Sequence, residues 1–75
     1  MTEFEQNLFS SMIKLVPELL KVHSYGVYEL AQEFSSRLEE PLYEVMTPLT
    51  ITLETLTNNG EVVYDRMNNQ IMLAH

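Results

Sequence analysis

Seventy-five residues, 45% of them hydrophobic and none a cysteine, describe one small globular domain without a disulfide framework or a thiolate metal site. Eleven acids against Lys14, Lys21, Arg37 and Arg66 give a net charge of −7. A field of that sign repels nucleic acid and anionic lipid and attracts a basic protein surface. The apolar runs are too short to cross a membrane, and Met1-Thr2-Glu3-Phe4-Glu5 lacks the cationic-then-apolar order of a secretory signal, so the cytoplasm is the expected compartment.

The first predicted element is a helix over about residues 2–22. Phe4, Leu8, Met12, Leu15, Val16 and Leu19 recur at helical spacing, and Phe9, Ile13 and Leu20 widen the stripe. Pro17 lies inside it. Proline removes one backbone bond and crowds the preceding turn, so a kink or break is expected near 13–16, or else two short helices meeting there. The surplus width of the stripe makes Phe9, Ile13 and Leu20 candidates for self-association as a homodimer.

After His23-Ser24-Tyr25-Gly26 a second helix is expected over about 25–37. Val27, Leu30, Ala31, Phe34 and Leu38 form its apolar face, and Glu29, Gln32, Glu33 and Ser36 its wet face. Residues 39–46 are ambiguous. Pro41 bars a continuous helix, and Leu42, Tyr43, Val45 and Met46 suit either a helical turn or a short strand. Glu29, Glu33, Glu40 and Glu44 could present an anionic surface to a basic protein partner; the plainer reading is a solubilising face.

A third helix is expected over about 48–58, with Thr47 as N-cap, Pro48 at the first helical position and Gly60 just past the end. Leu49, Leu53 and Leu56 point inward. The outward face is read as Thr50, Thr52, Thr55 and Asn58, residues that can bond phosphates and base edges but release no counterions. Beyond Gly60 the period changes from helical to alternating. Residues 61–74 read as a β-hairpin, with Met67, Asn68 and Asn69 between the strands and Val62, Tyr64, Ile71 and Leu73 facing the third helix. Arg66 at the tip is a candidate contact to a DNA minor groove, the plainer reading being a surface arginine beside Asp65, and Asn68 is a candidate residue of the same partner or DNA surface.

Three helices and a hairpin form a mainly helical α+β fold, the winged helix-turn-helix plan, as one domain over 1–75. Two stretches resemble the N-terminal domain of the PadR family of transcription regulators. Gly26-Val27-Tyr28-Glu29-Leu30-Ala31 is similar to that family's Gly-Tyr-Glu-Leu-Ala opening of the second helix, with Val27 as an extra residue. Leu49, Leu53, Leu56, Gly60 and Val62 fall where its third-helix pattern has apolar residues and glycine. The likeness spans about 24–73 and implies a winged-helix regulator. The chain departs from the pattern where DNA contact is concerned: Thr50 and Ile51 replace a tyrosine and a proline, and Glu54 and Thr55 stand at basic positions. Family-style dimerisation helices have no counterpart in this sequence.

The expected function is therefore non-catalytic: regulation of transcription or another DNA transaction, largely through a protein partner, with direct DNA binding by the third helix and wing as the alternative. No cofactor or metal is expected. Lys21 and His23 are expected to close the first helix near its C-terminus, where cations are favourable, His75 is terminal and expected to be mobile, and two glycines cannot build a phosphate loop.

Overall fold

The structure is a computed structural model that describes residues 2–74. Its order is α1 (Glu3–Leu20), α2 (Val27–Leu38), α3 (Leu42–Asn58), β1 (Val62–Asp65) and β2 (Gln70–Leu73), the winged-helix arrangement of three helices and a two-stranded antiparallel wing.

Helix α1 starts with a reciprocal cap. Thr2 Oγ1 accepts from the Glu5 backbone N–H at 3.1 Å, and the Glu5 carboxylate accepts from the Thr2 N–H at 3.0 Å. Leu8, Met12, Val16, Leu19 and Leu20 are its buried stripe. The helix is not interrupted at Pro17, so the expected break and the pair of short helices do not occur, and it ends at Leu20 rather than Val22. Packing overrides the proline. Met12 and Val16 are fully buried on the turns before it, Leu20 is buried on the turn after, and α1 packs chiefly on α3.

Between α1 and α2 the chain does something local periodicity does not announce. Tyr25 is not the start of a helix. Its backbone exchanges two hydrogen bonds with Ile71, N–H to O at 3.0 Å and the reverse at 2.6 Å, adding a bridge to the edge of β2. Gly26 then takes the N-cap position, and its N–H is accepted by the Glu29 carboxylate at 2.9 Å. A Cβ at Gly26 would sit 3.1 Å from Glu29 Oε1 and 3.5 Å from the Asn69 carbonyl, so the crossing of segments here is close.

Leu30, Ala31 and Phe34 form the fully buried face of α2. The helix ends in a Schellman turn: the Glu40 N–H bonds to the Ser35 carbonyl and the Glu39 N–H to that of Ser36. Glu39 holds the left-handed conformation, φ 55°, that the motif usually gives to glycine.

Helix α3 begins at Leu42, with Pro41 at the N-cap position, and not at Pro48 after a Thr47 cap. Residues 42–46 are helical. Both prolines suit a helix start; burial of Val45, Pro48 and Leu49 decides between them, extending the helix backwards through Pro48. The far end follows the expected glycine rule: Gly60 has φ 75°, with Gly60 N–H to Thr57 O at 3.0 Å and Glu61 N–H to Leu56 O at 2.9 Å.

The wing pairs Val62 with Leu73, Val63 with Met72, Tyr64 with Ile71 and Asp65 with Gln70. Its turn spans 66–69 and includes Asn69 at φ 52°. Strand β1 lies against α3 and β2 against α1. Met12, Val16, Leu30, Phe34, Val45, Leu49, Leu56 and Val62 form the fully enclosed centre of the core.

Candidate functional site: the groove between the third helix and the wing

With Leu49, Leu53 and Leu56 turned inward, α3 presents Thr50, Glu54, Thr57 and Asn58 on successive outer turns. Opposite them stands the wing, with Tyr64 of β1 and Ile71 of β2, and Val27 at the start of α2 closes one end. These surfaces enclose an open groove of ≈ 450 Å³. Leu53 and Ile71 contribute apolar surface that is only 8% and 3% exposed. Tyr64 is held in place by a hydrogen bond from its hydroxyl to Asn69 Oδ1. Glu54 is the one charged side chain lining the groove, and it makes no ion pair or side-chain hydrogen bond among the described residues.

The expected outward face of α3 is only partly correct. Thr50 and Asn58 are exposed, and Thr55 is half-buried. Thr52 is fully buried: its hydroxyl donates to the Pro48 carbonyl at 2.8 Å and lies 3.9 Å from the Met12 sulfur. It cannot contact a partner. The signal was present, since position 52 is three residues after Leu49 and four before Leu56 and therefore shares their face. Thr50 and Thr55 also donate backwards, to Met46 O at 2.9 Å and Ile51 O at 2.8 Å. Groove residues missed by the sequence reading include Val27, Leu53 and Thr57. Their convergence depends on how the wing docks, which no local pattern carries.

At the wing tip Arg66 and Met67 are exposed, Met67 by 96%. Asn68 is already engaged. Its side-chain amide donates to Asp65 at 2.7 Å, and the Asn68 and Met67 backbone N–H groups bond the same carboxylate. These bonds, the Asn68 side chain first and its backbone second, hold the Asp65 carboxyl below the ordinary aspartate value. Glu5 is likewise lowered, first by the Thr2 backbone N–H and then by its hydroxyl.

The cations are dispersed. Lys21 pairs with Glu18 at 3.1 Å and Arg37 with Glu33 at 2.7 Å, both at exposed positions. Lys14 lies exposed on α1, and Arg66 is the one cation on the wing. Of the expected acidic surface, Glu29 caps α2 and Glu33 holds Arg37, whereas Glu40 and Glu44 are half-buried around the α3 start. The expected self-association set also separates. Leu20 is a core residue, 5% exposed; Ile13 is half-buried against the core; Phe9 is half-buried on α1.

Because α1 ends at Leu20 with Lys21 at its C-cap, His23 lies beyond the helix and does not close it; its ring stacks on Tyr25 with centroids 4.2 Å apart, and its Nδ1 lies 2.6 Å from the Ser24 carbonyl. His75 lies outside the described residues. Among the described residues no three His, Asp or Glu side chains are grouped to hold a metal, and no helix is long and apolar enough to cross a membrane. Comparison of the chain with protein-family models, with curated proteins and with solved structures finds no match.

Proposed function

We propose that this chain is a small non-enzymatic winged-helix regulator of transcription or another DNA transaction that acts largely through protein–protein contacts. The observation that carries this reading is the outer face of α3. A recognition helix ordinarily brings cations to phosphate, because counterion release supplies most of the affinity. Here the groove-lining residues of that helix are Thr50, Leu53, Glu54, Thr57 and Asn58, with no lysine or arginine among them. The regulatory part of the reading draws on the winged-helix arrangement and on the resemblance to the PadR family over about 24–73. Winged helices serve as protein-binding modules as well as DNA readers, so the site and not the fold selects between them.

One observation favours the alternative of direct DNA binding: Arg66 projects from the wing tip and makes no ion pair among the described residues. Titration of labelled mixed-sequence duplex DNA from about 50 to 200 mM salt separates the two. Protein-mediated action gives no measurable complex at the lower salt. A complex that weakens steeply as salt rises supports the alternative.

A further inference from the structure

We propose that the groove between α3 and the wing docks a basic amphipathic segment of a partner protein, its apolar side chains entering beside Leu53 and Ile71 and an adjacent lysine or arginine pairing with Glu54. This rests on the protein-contact reading above and adds the site and the partner's chemistry. The groove measures ≈ 450 Å³. Protein sites that bury small groups run from about 300 to 1,000 Å³. An aliphatic cavity of about 150 Å³ takes one benzene-sized group, so more than one apolar side chain fits here. The walls are also preformed. Leu53 and Ile71 are anchored in the core, and the Tyr64 ring is tethered through its hydroxyl to Asn69, so docking does not require the site to be built first.

Charge selects the occupant. Glu29, Glu33 and Asp65 already have hydrogen-bond or ion-pair partners; of the several acids without a side-chain partner among the described residues, Glu54 is the one that lines the groove, at the edge of an apolar surface. A cation approaching it breaks no existing bond. A phosphate backbone would meet the same carboxylate with the wrong sign. A second copy of the chain would bring a further net charge of −7 to a surface that has no cation to receive it. A positively charged protein segment gains on both counts, and apolar anchors flanked by charges are how amphipathic segments engage grooves.

Random peptides displayed on phage and selected against the full chain test this. The enriched peptides are then synthesised, labelled and titrated by fluorescence anisotropy. Enrichment of an aliphatic or aromatic residue next to lysine or arginine is expected. Glu54→Lys should weaken these peptides at least about tenfold, since it removes an attraction and adds a repulsion. Glu3→Lys makes the same change in net charge at an exposed position in the first turn of α1, outside the groove lining and outside the candidate acidic surface, and should leave affinity nearly unchanged. Thr57→Arg, which fills the groove from an exposed position, should abolish binding while the circular dichroism spectrum stays helical. In methyl spectra of the wild-type chain, bound peptide should move Val27, Leu53 and Ile71. Peptides that move signals of α1 or of α2 beyond Val27 instead, and ignore Glu54→Lys, would overturn the groove while leaving the protein-contact reading intact. Failure to enrich any peptide, together with steeply salt-dependent duplex binding, would overturn both. Concentration-dependent movement of the same methyls in the chain alone would give the groove to a second copy and overturn the proposed occupant.

Discussion

Glu39 shows how much a single residue can hold back a small fold. A β-carbon in the left-handed region costs roughly 1 kcal/mol, and glycine removes the cost. Glu39 occupies that region at φ 55° to close α2. Glu39→Gly should therefore raise stability by about 1 kcal/mol, a rise of about 4–8 °C in Tm for a domain of this size. Thermal denaturation followed by circular dichroism checks it, and a lower Tm would contradict the assigned turn. Asp65 gives a pH-dependent counterpart. Its folded-state pKa is lowered by the Asn68 and Met67 donors, so its contribution is present above the ordinary aspartate value and is lost as pH falls through the lowered one. Glu5 at the α1 cap follows the same sign. A side-chain NMR titration should place the Asp65 midpoint below that of an unstructured peptide. Asn68→Ala should move it back up, and an unchanged midpoint in that variant would sink the explanation.

Among the elements, α1 and α3 both carry a proline that a local reading treats as a boundary. The spacing of Leu8, Met12, Val16 and Leu19 shows a helix, but whether it survives Pro17 depends on how firmly α3 holds the turns on either side. Proline in a helix interior costs about 3 kcal/mol relative to alanine, part of which is returned by a stiffer unfolded chain. Pro17→Ala should accordingly stabilise the domain by about 1–2 kcal/mol. Pro48→Ala should gain less or lose, because the Pro48 side chain is fully buried and its truncation leaves a cavity. Urea denaturation of the pair decides; equal gains would contradict the buried placement of Pro48. What was legible was local: the α2 face, the Leu49-Leu53-Leu56 register, the Gly60 stop and the alternation of the wing. Thr52 was legible too, from the phase of its leucine neighbours, and was misread. Tyr25 was not. Its partner, Ile71, is distant in the chain, and only tertiary pairing turns a tyrosine beside a helix start into a third edge position. The groove was illegible for the same reason, since its lining comes from α2, α3 and both strands.

Over the whole molecule, a winged-helix scaffold and an acidic surface stand together. The fold supplies a helix and a wing facing each other across an apolar groove. The charge, −7 in total and with no cation along that groove, removes the largest contribution to nucleic-acid affinity. The most direct test of this account adds the missing charge. The substitutions Thr50→Arg, Glu54→Arg, Thr57→Lys and Asn58→Lys change outward-facing positions of α3 without touching the Leu49, Leu53 and Leu56 contacts. Duplex affinity is then measured against salt for this variant and the wild type, each phosphate contact adding about −0.9 to the logarithmic slope. The variant should bind at low salt with a slope of several, and the wild type should show no complex. A wild-type chain that binds duplex as tightly as the variant would contradict the account.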